Sequence, residues 1–488
     1  MSGVKNSSIV NLPAWRLSQE IHKRNLSCFE VMSAFLDRIE EVNPKANAIV
    51  ALRNSDELLK EAKHKDELLS KGTSDGWMHG FPQAIKDLED TKGIVTTNGY
   101  PGDAKRIPDN DSLLVSNMKK AGSIIIGKTN TPEWGLGSHT FNEVYGATCN
   151  PYNSELTAGG SSGGTACAVA LNMQAVADGS DFMGSLRNPA GFCNIFGFRP
   201  SWGRVPALSP DLFYQNCSVR GPMARTVPDL ALLLSSLSGF DLRVPAALED
   251  DLNLKTISPD NVTEKLSKDI SGLKIAWMGD LEGYLPMEDG VLELCVSALN
   301  KFSTEAGIEI EPLKPFFNPE EFWEKIWLPI RHFGSVALKP LYDDPNKRSM
   351  LKPEAIFEYE SSLKYNLGDL HAAGVARSAF FASVLKVFDK FDFIAVPTAQ
   401  VFPFDKKIRW PKEIAGRQMD TYFRWMEVVS HWTMTGCPVV AVPAGFSKDG
   451  RPMGIQIVGK PRSDWELLQF AYGYEQVHKD ILNIRPQF

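Results

Sequence analysis

The first part of the chain places its apolar residues at helical spacing. Ser27 and Glu30 form a capping box, in which the hydroxyl and the carboxylate each satisfy a backbone N–H at the start of a helix. The apolar residues that recur with helical period after it are Phe29, Met32, Phe35, Leu36 and Ile39. A second helix is predicted over residues 54–71, with a Lys- and Glu-rich face in solvent. The pattern therefore predicts a helical segment over residues 1–75.

The pattern changes from Phe81 onward. Short apolar runs bounded by glycine and polar residues predict buried strands, beginning with 123–126, and helices are predicted at 112–121 and 166–177. Further strands are predicted at 274–277, 393–396, 439–442 and 454–458. This alternation indicates the α/β class, with helices layered on a largely parallel or mixed sheet. Because strands continue almost to the C-terminus, we expect a single domain over residues 1–488.

Residues 242–431 are rich in bulky aromatic side chains mixed with charges. The aromatic residues of this segment include Phe322, Trp323, Trp327, Phe333, Trp410, Tyr422 and Trp425, with Trp432 directly after it. For any one of them, the face of an ordinary amphipathic helix is the simpler interpretation. For the segment as a whole, we expect a variable region that roofs an active site and shapes its substrate pocket.

Composition excludes several classes of function. Of 488 residues, 43% are hydrophobic and 23% charged, the net charge is −7 and no basic run stands out, so we expect no nucleic-acid partner. The seven cysteines are dispersed without a CxxC pair, which is typical of free thiols in a reducing compartment. Cys149, Cys167 and Cys193 are interpreted as small core side chains. No His/Cys cluster has zinc spacing, and we expect neither a metal nor a cofactor.

One uncharged run, residues 156–177, raises the question of a membrane segment. Its first half is rich in glycine and serine, and the apolar part is too short to span a bilayer. The N-terminus lacks the charged start and apolar core of a signal peptide. The sequence therefore predicts a cytoplasmic protein without a membrane partner.

Three loops carry candidate chemistry: FPQAIKD at residues 81–87, GGSSGG at 159–164 and DFMGSLRNPA at 181–190. The second lacks the GK[ST] ending of a phosphate-binding loop. It formally matches the G-x-S-x-G elbow of α/β-hydrolases, which would make Ser161 the nucleophile and His431 or His478 its base. Neither histidine has a recognisable catalytic setting, and the elbow explains neither Lys86 nor the third loop.

Together the three loops resemble the amidase signature family. The resemblance covers residues 81–206 closely, including GKTN at 127–130 and GFRPS at 197–201, and resumes with GIQIVG at 454–459. It implies a large mixed sheet covered by helices on both faces, with a signature core at 76–241 and a C-terminal return to that core at 432–488. Three ordered motifs at the family's spacing make coincidence an inadequate explanation.

The resemblance also assigns roles. It implies that Ser185 is the nucleophile, Ser161 a bridging serine after a cis peptide bond, and Lys86 the base, which burial must bring to the neutral state. The oxyanion hole is expected from the backbone N–H groups of Phe182, Met183, Gly184 and Ser185. Met183 departs from the family's usual D-T-G-G-S, and the hole requires its backbone to tolerate a side chain.

The F-M-G-S-L-R-N-P-A version of the third motif resembles the branch that contains 6-aminohexanoate cyclic-dimer hydrolase and urethanase-like enzymes. It implies a serine hydrolase that forms an acyl-enzyme with small or oligomeric non-peptidic amides. Carbamates and aryl esters stay open as substrates, and a homodimer stays open as an assembly. The alternatives are a transamidase or amidotransferase component, against which Met183 argues, and an inactive binding scaffold, against which the intact Lys86, Ser161 and Ser185 argue.

Overall fold

The computed structural model describes residues 8–213 and 217–488. The strands β1 to β15 are Ile49–Val50, Pro82–Lys86, Ile124–Thr129, Phe141–Asn142, Gly146–Ala147, Val176–Asp181, Phe196–Arg199, Val219–Ala224, Lys274–Trp277, Glu309–Pro312, Phe393–Pro397, Glu413–Ile414, Arg417–Gln418, Val439–Phe446 and Pro452–Val458. The helices α1 to α10 are Ala14–His22, Cys28–Ala46, Ser55–Ser70, Leu113–Lys120, Gly163–Ala170, Asn188–Phe192, Val227–Leu237, Leu252–Thr256, Val262–Leu266 and Val291–Ala306. The helices α11 to α19 are Pro319–Phe322, Leu328–Phe333, Lys339–Tyr342, Pro345–Arg348, Pro353–Ser362, Leu367–Phe388, Glu427–Thr435, Asp464–Val477 and Lys479–Leu482, and a π-helical turn, Trp323–Trp327, joins α11 to α12.

The main sheet has eight strands in the order β10-β9-β11-β15-β14-β7-β8-β6. Strand β9 is parallel to both of its neighbours, β10 and β11. The remaining pairs are antiparallel. Helices α5 and α7 pack on the β6–β8 end, while α6, α10 and α18 pack on β14 and its neighbours. The fold is therefore the expected α/β domain built on a large mixed sheet.

A second sheet, which the sequence did not indicate, has the order β1-β3-β2. Strand β2 runs parallel to β3 with Lys86 opposite Thr129, and β1 closes the other side of β3 antiparallel. All five residues of β2 are buried. Strand β2 also packs beside β6 of the main sheet, where the Lys86 N–H donates to the Asp178 carboxylate at 3.2 and 3.3 Å. Lys86 thus lies at the junction of the two sheets.

Three predicted helices agree with the structure, among them the one at 112–121, which is α4, and a fourth does not. Helix α2 begins with the Ser27–Glu30 capping box, and α3 begins after Asn54, whose side chain accepts two N–H groups. The helix predicted at 166–177 is wrong in its second half, since α5 ends at Ala170. Asn172 has a left-handed backbone, φ 59°, which ends the helix as asparagine often does after a C-cap. The following apolar residues instead enter strand β6.

One continuous apolar core runs from the N-terminal helices to α18. A small satellite cluster is formed by Tyr100, Leu351 and Ala355, with Trp134 packed against it. All seven cysteines are buried free thiols. Within the two described ranges, no helix combines the length and the apolar character needed to cross a bilayer.

Gly197 on β7 provides a test of how the core positions the Ser185 loop. A Cβ there would lie 2.0 Å from the Leu186 carbonyl oxygen and 2.9 Å from the Ala190 Cβ, so alanine must displace the backbone after Ser185. We expect Gly197→Ala to lower the free energy of unfolding by about 2 kcal/mol or more, measured by urea denaturation. In the control Gly374→Ala, a Cβ meets nothing within 4 Å, so the free energy of unfolding should be unchanged or higher. Equal stability of the two variants would contradict this account.

Candidate active site

Lys86 ends strand β2 with its side chain fully buried. Its Nζ lies 2.8 Å from Ser161 Oγ, 2.8 Å from Ser162 Oγ and 3.0 Å from Ser180 Oγ. Burial lowers the pKa of Lys86 from 10.5 to about 7, against the opposing charges of Asp178 and Asp181. Near neutral pH a large fraction of this amine is therefore uncharged and able to accept a proton from a hydroxyl.

The loop that carries Ser161 is fixed from several sides. The Gly160–Ser161 peptide bond is cis, as the resemblance implied. The Thr140 hydroxyl donates to the Gly159 carbonyl at 2.8 Å and accepts from the Gly163 N–H at 3.1 Å. Gly159 has φ +75°, and a Cβ there would lie 2.5 Å from Asn188 Oδ1, so only glycine fits. These contacts hold Ser161 Oγ against Lys86.

The loop that carries Ser185 is held by buried ions. Arg187 donates to both Asp181 oxygens at 2.9 Å, and Arg199 donates to Asp181 Oδ1 at 3.1 Å. Burial alone would raise the pKa of Asp181, but the two guanidinium groups hold it well below its usual range. The guanidinium of Arg187 also bonds Val429, Gln456 and Thr433. Asp181 and Arg187 thus act as structural supports, in agreement with their position beside the predicted nucleophile.

The backbone before Ser185 partly agrees with the expected oxyanion hole. The Gly184 N–H, assigned to that hole by the resemblance, instead donates to Asp181 Oδ1 at 2.9 Å, because the ion cluster draws the loop towards the carboxylate. In the described part of the chain, the N–H groups of Phe182, Met183 and Ser185 donate to no acceptor. Met183 is not among the residues with positive φ, so its side chain is tolerated. Gly184 has φ +81°, and a Cβ there would lie 2.8 Å from Val429.

Ser185 lies in the wall of a cavity of about 460 Å³. Its side chain is 6% exposed, and its hydroxyl has no hydrogen-bond partner within residues 8–213 and 217–488. The remaining wall comes from the 134–138 loop, the backbone before Ser185 and the segment from Arg331 to Leu341. The Met183 side chain also lines this cavity, and its Sδ lies 3.4 Å from Arg331 Nη1. Of the three predicted catalytic residues, the structure joins Lys86 to Ser161 directly and places Ser185 at the cavity.

The structure does not support the two alternatives to Ser185, which are Ser161 with a histidine base and a cysteine nucleophile. His431 packs between Phe317 and Phe322, and His478 bonds the carbonyl groups of Tyr474 and Ala298, so neither is a base for Ser161. Burial raises the pKa of Cys149 to about 11, and it also raises the pKa of Cys167 and of Cys193 well above the ordinary thiol value. These thiols are therefore protonated core side chains.

Three groups around Lys86 are not identified by sequence reasoning. Ser162 lies within its motif without an assigned role, and Asp178 and Ser180 lie outside the three motifs. Asp178 and Ser180 are two residues apart on β6, so they share one face of that strand. Alternating polar residues in a buried strand are a signal that could have indicated them. Burial raises the pKa of Asp178 to about 7, with Glu89 adding to the shift.

Comparison with known proteins places these motifs in a wider group. A family model described as Amidase matches residues 30–468. The chain is 31% identical over 469 residues to an acylamidase of Rhodococcus erythropolis, covering 96% of this chain and 95% of that one. It is also 31% identical over 502 residues to a glutamyl-tRNA(Gln) amidotransferase subunit of Thermoanaerobacter pseudethanolicus, covering 98% of both.

Solved structures show the same fold. A bacterial aryl acylamidase of the amidase signature family superposes with a TM-score of 0.86 at 28% identity, covering 98% of this chain and 99% of that one. The structure of 6-aminohexanoate cyclic dimer hydrolase with its substrate superposes with a TM-score of 0.80 at 23% identity, with 98% and 99% coverage. Among the sequence relatives, the acylamidase and the amidotransferase subunit have the same identity to the chain, 31%.

The state of Lys86 predicts how stability depends on pH. The folded protein releases this proton near pH 7 and the unfolded chain near 10.5, so between these values the unfolded chain binds more protons and stability rises with pH. Relative to Lys86→Met, the parent should gain about 2 kcal/mol of unfolding free energy from pH 7 to pH 9. Urea denaturation of both proteins at both pH values measures this difference. The serine hydroxyls that lose their partner in the variant lower its free energy of unfolding by the same amount at both pH values, so they do not affect this difference. If the free energies of unfolding of the two proteins changed in parallel with pH, the neutral state of Lys86 would be contradicted.

Proposed function

The chain belongs to the amidase signature family, and from that premise we propose that it is a serine hydrolase cleaving the C–N bond of small or oligomeric non-peptidic amides. One observation carries the proposal. A fully buried lysine amine lies 2.8 Å from the Ser161 hydroxyl, beside a cavity whose wall contains the hydroxyl of Ser185. This arrangement supplies a base without a charge, a hydroxyl to relay the proton and a nucleophile at a substrate pocket.

The Ser185 hydroxyl is not hydrogen-bonded to Ser161 in the structure, so the proposed mechanism requires the Ser185 side chain to turn towards Ser161 when substrate binds. In the first half of the reaction, Ser185 Oγ then attacks the carbonyl carbon of the amide. Its proton moves to Ser161 Oγ as the Ser161 proton moves to Lys86 Nζ. The carbonyl oxygen becomes an oxyanion, and we expect the N–H groups of Phe182, Met183 and Ser185 to stabilise it. Because Gly184 already donates to Asp181, this hole differs from the one that the sequence resemblance implied.

In the second half, the relay runs in reverse. Protonated Lys86 returns its proton through Ser161 to the leaving nitrogen, and the C–N bond breaks as the amine departs. The acyl group remains as an ester on Ser185. Water then attacks this ester and gives its proton to the same relay, which releases the carboxylic acid and restores Ser185.

The cavity supports a substrate that is mostly uncharged. Within its wall the charged groups are Arg331 and Glu358, and these neutralise one another, with Arg331 Nη2 at 2.5 Å from Glu358 Oε1. The remaining wall is largely apolar or backbone, which suits a small aryl or alkyl amide. Carbamates and aryl esters present the same carbonyl to Ser185 and belong to the proposed range. We place the substrate-shaping role in residues 242–431, whose 331–341 portion lines the cavity.

An amidotransferase component is the second candidate, favoured by the equal identity to the amidotransferase relative. Such a component would hydrolyse glutamine and pass the ammonia to an acceptor held by a partner. Met183 beside Ser185 narrows the pocket with an apolar side chain, which favours an aryl or alkyl amide over the polar glutamine. The two candidates differ in whether the isolated chain turns over aryl amides without an ammonia acceptor.

The nucleophile can be tested with a fluorophosphonate probe. We expect the folded parent to be labelled at Ser185, identified by peptide mapping, while Ser185→Ala and heat-unfolded parent are not labelled. The labelling rate should fall as pH drops below about 7, because Lys86 becomes charged. Labelling at another residue, or an unchanged rate in Ser185→Ala, would overturn the assignment.

The base can be tested by its effect on amide turnover. Lys86→Ala should lower kcat/KM for p-nitroacetanilide by roughly 10²- to 10⁴-fold, the usual contribution of acid–base catalysis. Far-UV circular dichroism should show that the variant is folded. A folded variant with parental activity would exclude the relay, and a parent that turns over glutamine but no aryl amide would favour the amidotransferase.

A further inference from the structure

A second cavity adjoins the one that contains Ser185. It has a volume of about 520 Å³ and lies between α12 and α16. Phe182, Arg331 and Gly334 line both cavities, so the two are neighbours across a shared wall. Each has the size of a typical ligand pocket. The mechanism described above uses only the first cavity.

The shared wall is fixed in place. The Phe182 ring lies 5.7 Å from that of Trp327, and Arg331 Nη2 donates to Tyr422 Oη at 2.8 Å. Arg331 Nε also donates to Glu358 at 3.0 Å, and the Arg331 guanidinium lies 3.9 Å from the centre of the Phe423 ring. Because the guanidinium is paired with a buried carboxylate, it offers no bare charge to a ligand on either side.

The second cavity is mainly apolar, and its rim is exposed. The apolar side chains that line it are Phe182, Ile330, Phe333, Leu367, Leu370 and Val375. Leu367 is 85% exposed and Val375 59%, so the apolar surface of the cavity continues to its rim. The polar residues of the wall are Asp211, His371, Arg377 and Ser378, of which Asp211 and Arg377 carry opposite charges. Arg377 Nε donates to the Met434 carbonyl at 2.7 Å. An uncharged chain or ring suits such a surface better than an ion.

We propose that the second cavity is a substrate subsite, which takes an alkyl or aryl arm of an amide too long for the first cavity. This inference rests on the proposed function and specifies its substrate class: amides whose acyl or amine side carries an extended apolar group. The occupant follows from continuity at Gly334, which lines both cavities: a Cβ there would meet nothing within 4 Å, so the boundary is open beside the ordered Phe182 and Arg331 side chains and leaves a path for an arm of the substrate. Each methylene buried there contributes about 0.8 kcal/mol, or roughly fourfold in kcat/KM.

Gly374 on α16 allows the cavity to be filled without disturbing the fold. It lines the cavity, its φ is not positive, and a Cβ there would meet nothing within 4 Å. A large side chain at this position therefore projects into open space rather than into packed atoms. Ala372 is exposed on the same helix and lines neither cavity, so Ala372→Phe is a matched control.

The experiment measures kcat/KM for two series of anilides. In one, the acyl group of a p-nitroanilide grows from acetyl to octanoyl; in the other, acetanilide carries a para-alkyl chain of zero to six carbons. For the parent and Ala372→Phe, we expect one series to rise roughly fourfold per methylene over several carbons. In Gly374→Phe that rise should be lost, while turnover of the shortest member is unchanged. The series that responds identifies the arm as acyl or amine.

The outcomes separate the two proposals. If the shortest anilides are hydrolysed but neither series depends on length in the parent, the second cavity is not a subsite and the proposed function stands. The same conclusion follows if Gly374→Phe lowers short and long members equally. If no anilide is hydrolysed and the fluorophosphonate does not label Ser185, the proposed function and the subsite both fail.

Discussion

The structure depends on keeping one lysine amine away from water. Lys86 is fully buried at the junction of two sheets, and its Nζ is surrounded by three serine hydroxyls rather than by a carboxylate in contact. Such an environment disfavours the charged form, and a pKa of about 7 in place of 10.5 costs about 4 kcal/mol of stability at pH 7. A large apolar core offsets this cost, so an uncharged amine is available where an exposed lysine would be a cation.

The second constraint is the position of the two serine loops relative to that amine. Asp181 with its two arginines anchors the Ser185 loop, and Asn188 lies against the Gly159–Gly160 backbone of the Ser161 loop. Buried ion clusters of this kind contribute more to a unique geometry than to net stability, and removal of one member leaves a buried charge without its partner. The same cluster accepts the Gly184 N–H, so one interaction both orients the loop of the proposed nucleophile, Ser185, and changes which N–H groups are available for the proposed oxyanion hole.

A segment far from the motifs contributes part of the cavity wall beside Ser185. Arg331 of α12 and Gly334 directly after that helix line both cavities, and α16 lines the second one. Most of the aromatic residues in that segment, such as Trp323 and Trp425, are core side chains. The role of residues 242–431 in shaping the substrate pocket therefore stays a prediction, and their aromatic content was a poor guide to the individual lining residues. Arg331 lines both cavities, and no local pattern in the sequence singles it out.

The sequence by itself determined the α/β class, the capped N-terminal helices and the three loops that carry Lys86, Ser161 and Ser185, because periodicity, capping and glycine-rich turns are local signals. Only the tertiary structure decided that Lys86 lies on a separate small sheet and that its amine is hydrogen-bonded to Ser162 and Ser180. The same is true of the hydrogen bond from the Gly184 N–H to Asp181, and of the second cavity beside the first. Helix α5 also ends at Ala170, although apolar residues continue after it, because Asn172 adopts a left-handed backbone conformation. These features depend on contacts between residues distant in the chain, and their hydrogen bonds and volumes do not exist until the strands and helices pack.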